Sequence, residues 1–193
     1  MCIRDSPNIL EAYNSNANQT ISNKDVEIFY QSDLINKENY PKHILATVDS
    51  NTFIQNRNLH HEVFGPFSLI IKCNDMNDLR KVIFSIQGQL TGTIIGEKDE
   101  IHQNKDLIDL LGSRVGRIIF DGVPTGVEVC PSMLHGGPYP ATTDSRFTAV
   151  GTNSIQRWVR PFSFQDFPDE LLPDELKNNN PLNIKRTING VIT

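Results

Sequence analysis

A chain of 193 residues is long enough to bury a core of its own. At 38% hydrophobic and 21% charged it has the composition of a water-soluble protein, and no apolar run is long enough to span a bilayer. A net charge of −5 and a pI of about 5.5 argue against nucleic acid as a partner, because a phosphate backbone selects a basic face.

Cys2, Cys73 and Cys130 are odd in number, far apart and without a C-x-x-C pair. That excludes a disulfide framework and a zinc site, so no metal is expected and the reading is cytoplasmic and reducing. Met1 to Ser6 has no apolar core and is no secretory signal. Residues 1–24 are expected to be a ragged or artificial start followed by loop, with Asn14 to Asn23 the polar, Asn-rich part.

Further along, Asp25 to Tyr30 is a short strand candidate, and His43 to Val48, set off by Pro41, is a better one. Phe67 to Cys73 is a compact apolar run of strand length. Asp75 caps a helix whose apolar positions Met76, Leu79, Val82, Ile83, Ile86 and Leu90 recur at three- and four-residue spacing. Leu90 to Ile95 is the next strand, ended by Gly96. Leu107, Ile108, Leu110 and Leu111 form a short helix face closed by Gly112, and Val115 to Phe120 is a third strand. Strands alternating with helices at this spacing predict an α/β fold with a parallel sheet, flanked by helices and buried on both faces.

After Phe120 come Gly122, Gly126, Gly136 and Gly137 with Pro124, Pro131, Pro138 and Pro140, a long shaped loop of the kind that carries function. Thr143 or Asp144 is expected to cap a helix running to about Val159, ended by Pro161. Pro168 to Lys177 is acidic and short-helical, and Ile184 to Ile192 is expected as a terminal edge strand, which invites pairing with another subunit.

Glu62-Val63-Phe64-Gly65-Pro66 stands directly before the run at Phe67. It resembles the Glu-x-Phe-Gly-Pro signature of the aldehyde dehydrogenase superfamily, and the β-α-β-α-β run, Gly-rich loop, helix and terminal strand follow in that family's order. The loop sequences Pro124-Thr125-Gly126-Val127-Glu128-Val129 and Leu134-His135-Gly136-Gly137-Pro138-Tyr139-Pro140-Ala141-Thr142 are similar to the branch of 2,5-dioxovalerate (α-ketoglutarate semialdehyde) and NADP-dependent fatty aldehyde dehydrogenases. Ser145-Arg146, Val150-Gly151-Thr152 and Arg160-Pro161 continue that pattern.

The resemblance implies an incomplete catalytic domain over residues 25–165 and a tail with an oligomerisation strand over 166–193, assembling into a homo-oligomer. It implies an aldehyde as substrate and NAD or NADP as cofactor, with NADP favoured. Glu62 is the carboxylate expected to accept from the two hydroxyls of the nicotinamide ribose, and Phe64 packs near the nicotinamide ring. Val127, Val129, Cys130 and His135 are expected to line the aldehyde pocket. Without the resemblance, the same residues read as a surface Glu, a core Phe and a structural turn.

A zincin reading of His61-Glu62 fails, because Gly65 stands where the second His is needed. In this family the nucleophilic cysteine precedes the Glu-x-Phe-Gly-Pro motif. Cys130 follows it and is therefore assigned to the pocket wall, and Cys73 to packing. Neither a nucleophile segment nor a dinucleotide-binding domain is recognisable before Glu62, so no catalytic residue is assigned and these 193 residues by themselves are expected to be inactive. The alternatives are a non-catalytic binding or oligomerisation module of the same fold, disfavoured by the retained Glu62, and a freestanding flavodoxin-like domain, which would need phosphate-binding loops after the strands that are not evident in this sequence.

Overall fold

The computed structural model of the protein describes residues 6–33, 39–124, 126 and 129–193. The chain divides into two compact units, Met1–Arg157 and Trp158–Thr193.

The first unit opens with helix α1, Pro7–Ile21, with a proline in its first turn, where the missing N–H costs nothing. Tyr13, Ala17 and Thr20 follow one another at helical spacing and are buried, and Leu10 packs against the same core. The Tyr13 hydroxyl donates to the Lys42 carbonyl at 2.5 Å. The Asn-rich stretch expected as loop is therefore mostly helix. Its asparagines occupy the solvent side, while a narrow stripe of small and aromatic residues supplies the packing that outweighs their weak helix propensity.

Strand β1, Glu27–Gln31, pairs antiparallel with β2, Ile44–Asp49, with a register irregularity between Ile28 and Tyr30. Asp49 then caps helix α2, Ser50–Gln55, its carboxylate accepting from the Thr52 amide at 3.0 Å and the Thr52 hydroxyl at 2.6 Å. Strand β3, Phe67–Lys72, runs parallel to β2, from Ile44 opposite Phe67 to Asp49 opposite Lys72. Helix α3, Met76–Ser85, is capped by Asp75, which accepts from the Asp78 amide at 2.8 Å. Strand β4, Gln89–Ile94, leads through α4, Lys98–Gln103, and α5, Lys105–Gly112, to β5, Val115–Phe120, which runs parallel to β4. A bidentate pair ties α3 to α5: Arg80 Nε lies 2.6 Å and its Nη2 3.2 Å from the Asp106 carboxylate.

The α/β architecture is as expected, but the sheet comes in two pieces, β1-β2-β3 and β4-β5. Apolar runs mark strands without encoding which strand is whose neighbour, so the order was open in the sequence. Among the described residues only β2 is closed off on both faces; β3 alternates, and Ile118 and Phe120 of β5 remain substantially exposed. The core gathers around β2, where Ala46, Val48 and Phe53 are almost completely buried. A side chain such as Val48 contributes about 1.5–3 kcal/mol when fully removed from water.

The helix expected from Thr143 to Val159 shrinks to a 3-10 stretch, Thr152–Trp158. Asp144 does not cap it. Its carboxylate is occupied locally by Arg146, taking the backbone N–H at 3.1 Å and two guanidinium nitrogens at 2.9 and 2.6 Å. Gly151, at φ 94°, then breaks any helical path.

In the second unit, the acidic segment forms only a single 3-10 turn, Asp169–Leu171. The terminal strand expected over Ile184 to Ile192 is a hairpin instead: β6, Thr187–Ile188, and β7, Val191–Ile192, antiparallel. Asn189 and Gly190 at φ 50° and 82° make the turn, and Asn-Gly is the pair that a two-residue hairpin loop favours. Arg186 fixes the hairpin to the preceding segment by donating to the carbonyls of Lys177 at 2.5 Å and Asn178 at 3.3 Å.

Candidate functional site

The Glu-x-Phe-Gly-Pro segment is tied to the core from both sides. Before it, Asn56 caps a 3-10 turn, Arg57–His60, accepting from the Asn58 amide at 3.1 Å, and Leu59 is buried. His60 stacks on Phe53 with ring centroids 4.3 Å apart, and its Nε2 lies 2.8 Å from the Phe53 carbonyl. After it, Val63 packs against the core and the Pro66 carbonyl accepts from the Ile44 amide at 3.0 Å, which fixes where β3 starts.

Between these anchors Glu62 is exposed, and among the described residues its carboxylate makes no hydrogen bond or ion pair. It lines a cleft of about 460 Å³ together with His60, His61, the stretch 87–91 and Pro140-Ala141. Among the described residues Glu62 is the single carboxylate in that wall; the other polar groups there are amides, a hydroxyl, imidazoles and backbone. Such a wall accepts a neutral, hydroxyl-bearing ligand, and two free carboxylate oxygens match a vicinal diol. Glu62 also borders a second cleft of about 490 Å³ against Asn16, Gln19 and Asn58. Phe64 is 40% exposed and lines neither cleft.

Among the described residues of the Gly/Pro loop, Pro140 and Ala141 reach this cleft. The loop is docked by backbone contact on the start of β4 and β5. A Cβ on Gly116 would stand 1.8 Å from the Gly136 carbonyl oxygen, and one on Gly88 would stand 2.0 Å from that of Pro138. The Gly88 amide donates to the Tyr139 carbonyl at 3.2 Å. No side chain fits at this junction. The glycine before β4 drew no attention in the sequence, and the wall formed by Gln87 to Thr91 was missed with it.

His135 is held by its backbone: its amide donates to Thr148 Oγ1 at 2.9 Å and its carbonyl accepts from the Ala149 amide at 2.9 Å. Thr148 is buried, and its hydroxyl donates a hydrogen bond to the Val150 carbonyl at 2.7 Å. Val129 is 75% exposed, and Cys130 is half-buried with Sγ 3.4 Å from Ser132 Oγ. Neither they nor His135 line the Glu62 cleft. Val127 lies outside the described residues, as does Cys2. Burial, reinforced by the carboxylates of Asp78 and Asp75, pushes the Cys73 thiol up, away from the thiolate a nucleophile needs. Among the described residues no group of three or more His, Cys, Asp or Glu side chains is placed to hold a metal ion, and no helix is long and apolar enough to cross a membrane.

No protein-family model matches the chain. It is 47% identical over 151 residues to the alpha-ketoglutaric semialdehyde dehydrogenase of Acinetobacter baylyi, covering 78% of this chain and 29% of that protein. It is 43% identical over 146 residues to the alpha-ketoglutaric semialdehyde dehydrogenase 2 of Azospirillum brasilense, covering 76% of this chain and 28% of that one. Among solved structures, a betaine aldehyde dehydrogenase of Staphylococcus aureus in complex with NAD+ matches with TM-score 0.56 at 13% identity, over 79% of this chain and 28% of that chain. A succinic semialdehyde dehydrogenase of Streptococcus pyogenes, in complex with NADP+, matches with TM-score 0.52 at 18% identity, over 66% and 27%. The chain thus spans under a third of the relatives it matches. Over the matched residues it is a segment of the aldehyde dehydrogenase superfamily.

Proposed function

We propose that this chain supplies the C-terminal part of the catalytic domain of an NAD(P)-dependent aldehyde dehydrogenase, with Glu62 holding the nicotinamide ribose. The observation that carries this reading is the unpartnered Glu62 carboxylate, set in a neutral polar cleft and fixed by backbone anchors on both sides. A bound nicotinamide cofactor would supply the hydride acceptor. Glu62 would accept from the two ribose hydroxyls and so orient the ring. The names of the sequence relatives favour a dicarboxylate semialdehyde, 2,5-dioxovalerate, as the aldehyde. The branch resemblance favours NADP over NAD.

In this reading residues 25–165 are the catalytic part and 166–193 the tail that joins subunits. The exposed edge of the terminal hairpin, with Val191 and Ile192 63% and 74% exposed, is the surface that pairs with another copy. Acidic charge and unpaired thiols suit a cytoplasmic setting. Val127, Val129, Cys130 and His135 remain the proposed aldehyde-side loop, reaching the substrate from outside the Glu62 cleft.

The Cys73 thiol is pushed up by burial, and the resemblance puts the nucleophile before the Glu-x-Phe-Gly-Pro motif rather than at Cys130, so the 193-residue chain alone is expected to form no NAD(P)H from aldehyde. The assay is aldehyde-dependent reduction of NADP+ or NAD+ by the purified chain. Steady turnover that disappears in Cys130→Ala would overturn the reading and make Cys130 the nucleophile.

A further inference from the structure

We infer that His60 is a positioning residue for the Glu62 carboxylate, an inference that rests on the ribose-binding reading above. A carbonyl only accepts, so the 2.8 Å contact to the Phe53 oxygen requires the proton on His60 Nε2. The ring is also stacked on Phe53 at 4.3 Å with planes 17° apart, and Phe53 is 4% exposed. One side chain therefore grips a buried residue in two ways, by its face and by its edge. Phe53 itself sits in α2, whose start is clamped by Asp49.

Only His61 separates this grip from Glu62, and the next residue, Val63, is packed on the core. Glu62 is thus carried on a short bridge pinned at both ends. This matters because, among the described residues, no neighbouring donor holds the carboxylate. Its place in the cleft depends on its backbone, and the backbone depends on His60 and Val63. Ligand-binding groups gain precision from such supporting contacts, and a shift near 1 Å is enough to lose it.

The test has two parts. In the 193-residue chain, backbone relaxation reads the order parameter of the Glu62 amide and circular dichroism confirms that each variant is folded; NADP+ binding is read as the coenzyme Kd of the Acinetobacter baylyi relative with its matched segment replaced by the corresponding residues of this chain. His60→Ala is expected to lower the Glu62 order parameter from about 0.85 to below about 0.6, with β2 unchanged. It is expected to weaken NADP+ binding about tenfold, the equivalent of one lost hydrogen bond. His60→Gln keeps an N–H donor of similar reach and is expected to recover part of both. Glu62→Gln is expected to weaken binding while leaving the order parameter intact. If His60→Ala moves neither readout while Glu62→Gln weakens binding, the positioning role is wrong and the ribose reading stands. If Glu62→Gln leaves binding unchanged, the ribose reading fails and His60 is a structural anchor only.

Discussion

Tyr13 turns a polar, Asn-rich stretch into part of the core. Its ring is 1% exposed, and its hydroxyl, 2.5 Å from the Lys42 carbonyl, satisfies a backbone group leading into β2. Burial also raises the pKa of the phenol, so the hydroxyl stays a donor across the physiological range. Tyr13→Phe is expected to cost about 1 kcal/mol through the lost hydrogen bond, and Tyr13→Ala about 3–5 kcal/mol through the cavity, both read from urea unfolding. An equal cost for the two would mean that packing contributes nothing. Asp144 behaves differently because it is a local, exposed pair. The Arg146 side chain, and then its backbone N–H, hold the Asp144 carboxyl at about 2, below the ordinary 3.8. A depressed folded pKa means the contribution of this turn is complete above about 3.8 and is lost as pH falls through about 2. Following the Asp144 carboxyl resonance with pH checks this, and a midpoint at the ordinary value would show that the pair does not persist in solution.

At the scale of elements, what the sequence made legible follows from which signals are local. Strands β2 to β5 and helix α3 were readable because an apolar run bounded by Asp75, Gly96 or Gly112 carries both its own type and its own ends. The missed elements have physical reasons. Helix α1 hides its stripe among asparagines that favour loops when counted singly. The hairpin at Asn189-Gly190 is hidden because the alternating residues on either side of the turn pair read as one continuous strand. The Asp144 helix failed because an arginine two residues away captured the cap. Glu62 was legible through its motif. Its cleft was not, because the facing wall at Gln87 to Thr91 and the loop end at Pro140 arrive from distant sequence. The glycine junction gives this a direct test. Gly116→Ala would place a methyl group 1.8 Å from the Gly136 oxygen, so the loop must lift off β5. A loss of about 1–3 kcal/mol is expected, comparable to overpacking a core, with faster proteolysis in the loop. Wild-type stability and protection would mean that the loop does not dock there.

For the whole molecule, apolar side chains stay exposed in several places, among them Phe120 of β5 in the first unit and Val191 and Ile192 of the hairpin in the second. The proposed role of Glu62 is to orient the coenzyme of an aldehyde dehydrogenase. The most direct measurement replaces the matched segment of the Acinetobacter baylyi relative with the corresponding residues of this chain, and compares the coenzyme KM for 2,5-dioxovalerate oxidation with Glu62 intact and with Glu62→Gln. The account predicts an active chimera whose coenzyme KM rises about tenfold or more on Glu62→Gln, since two hydrogen bonds to a charged acceptor are weakened. A folded chimera that oxidises the aldehyde with the same coenzyme KM in both forms would contradict it.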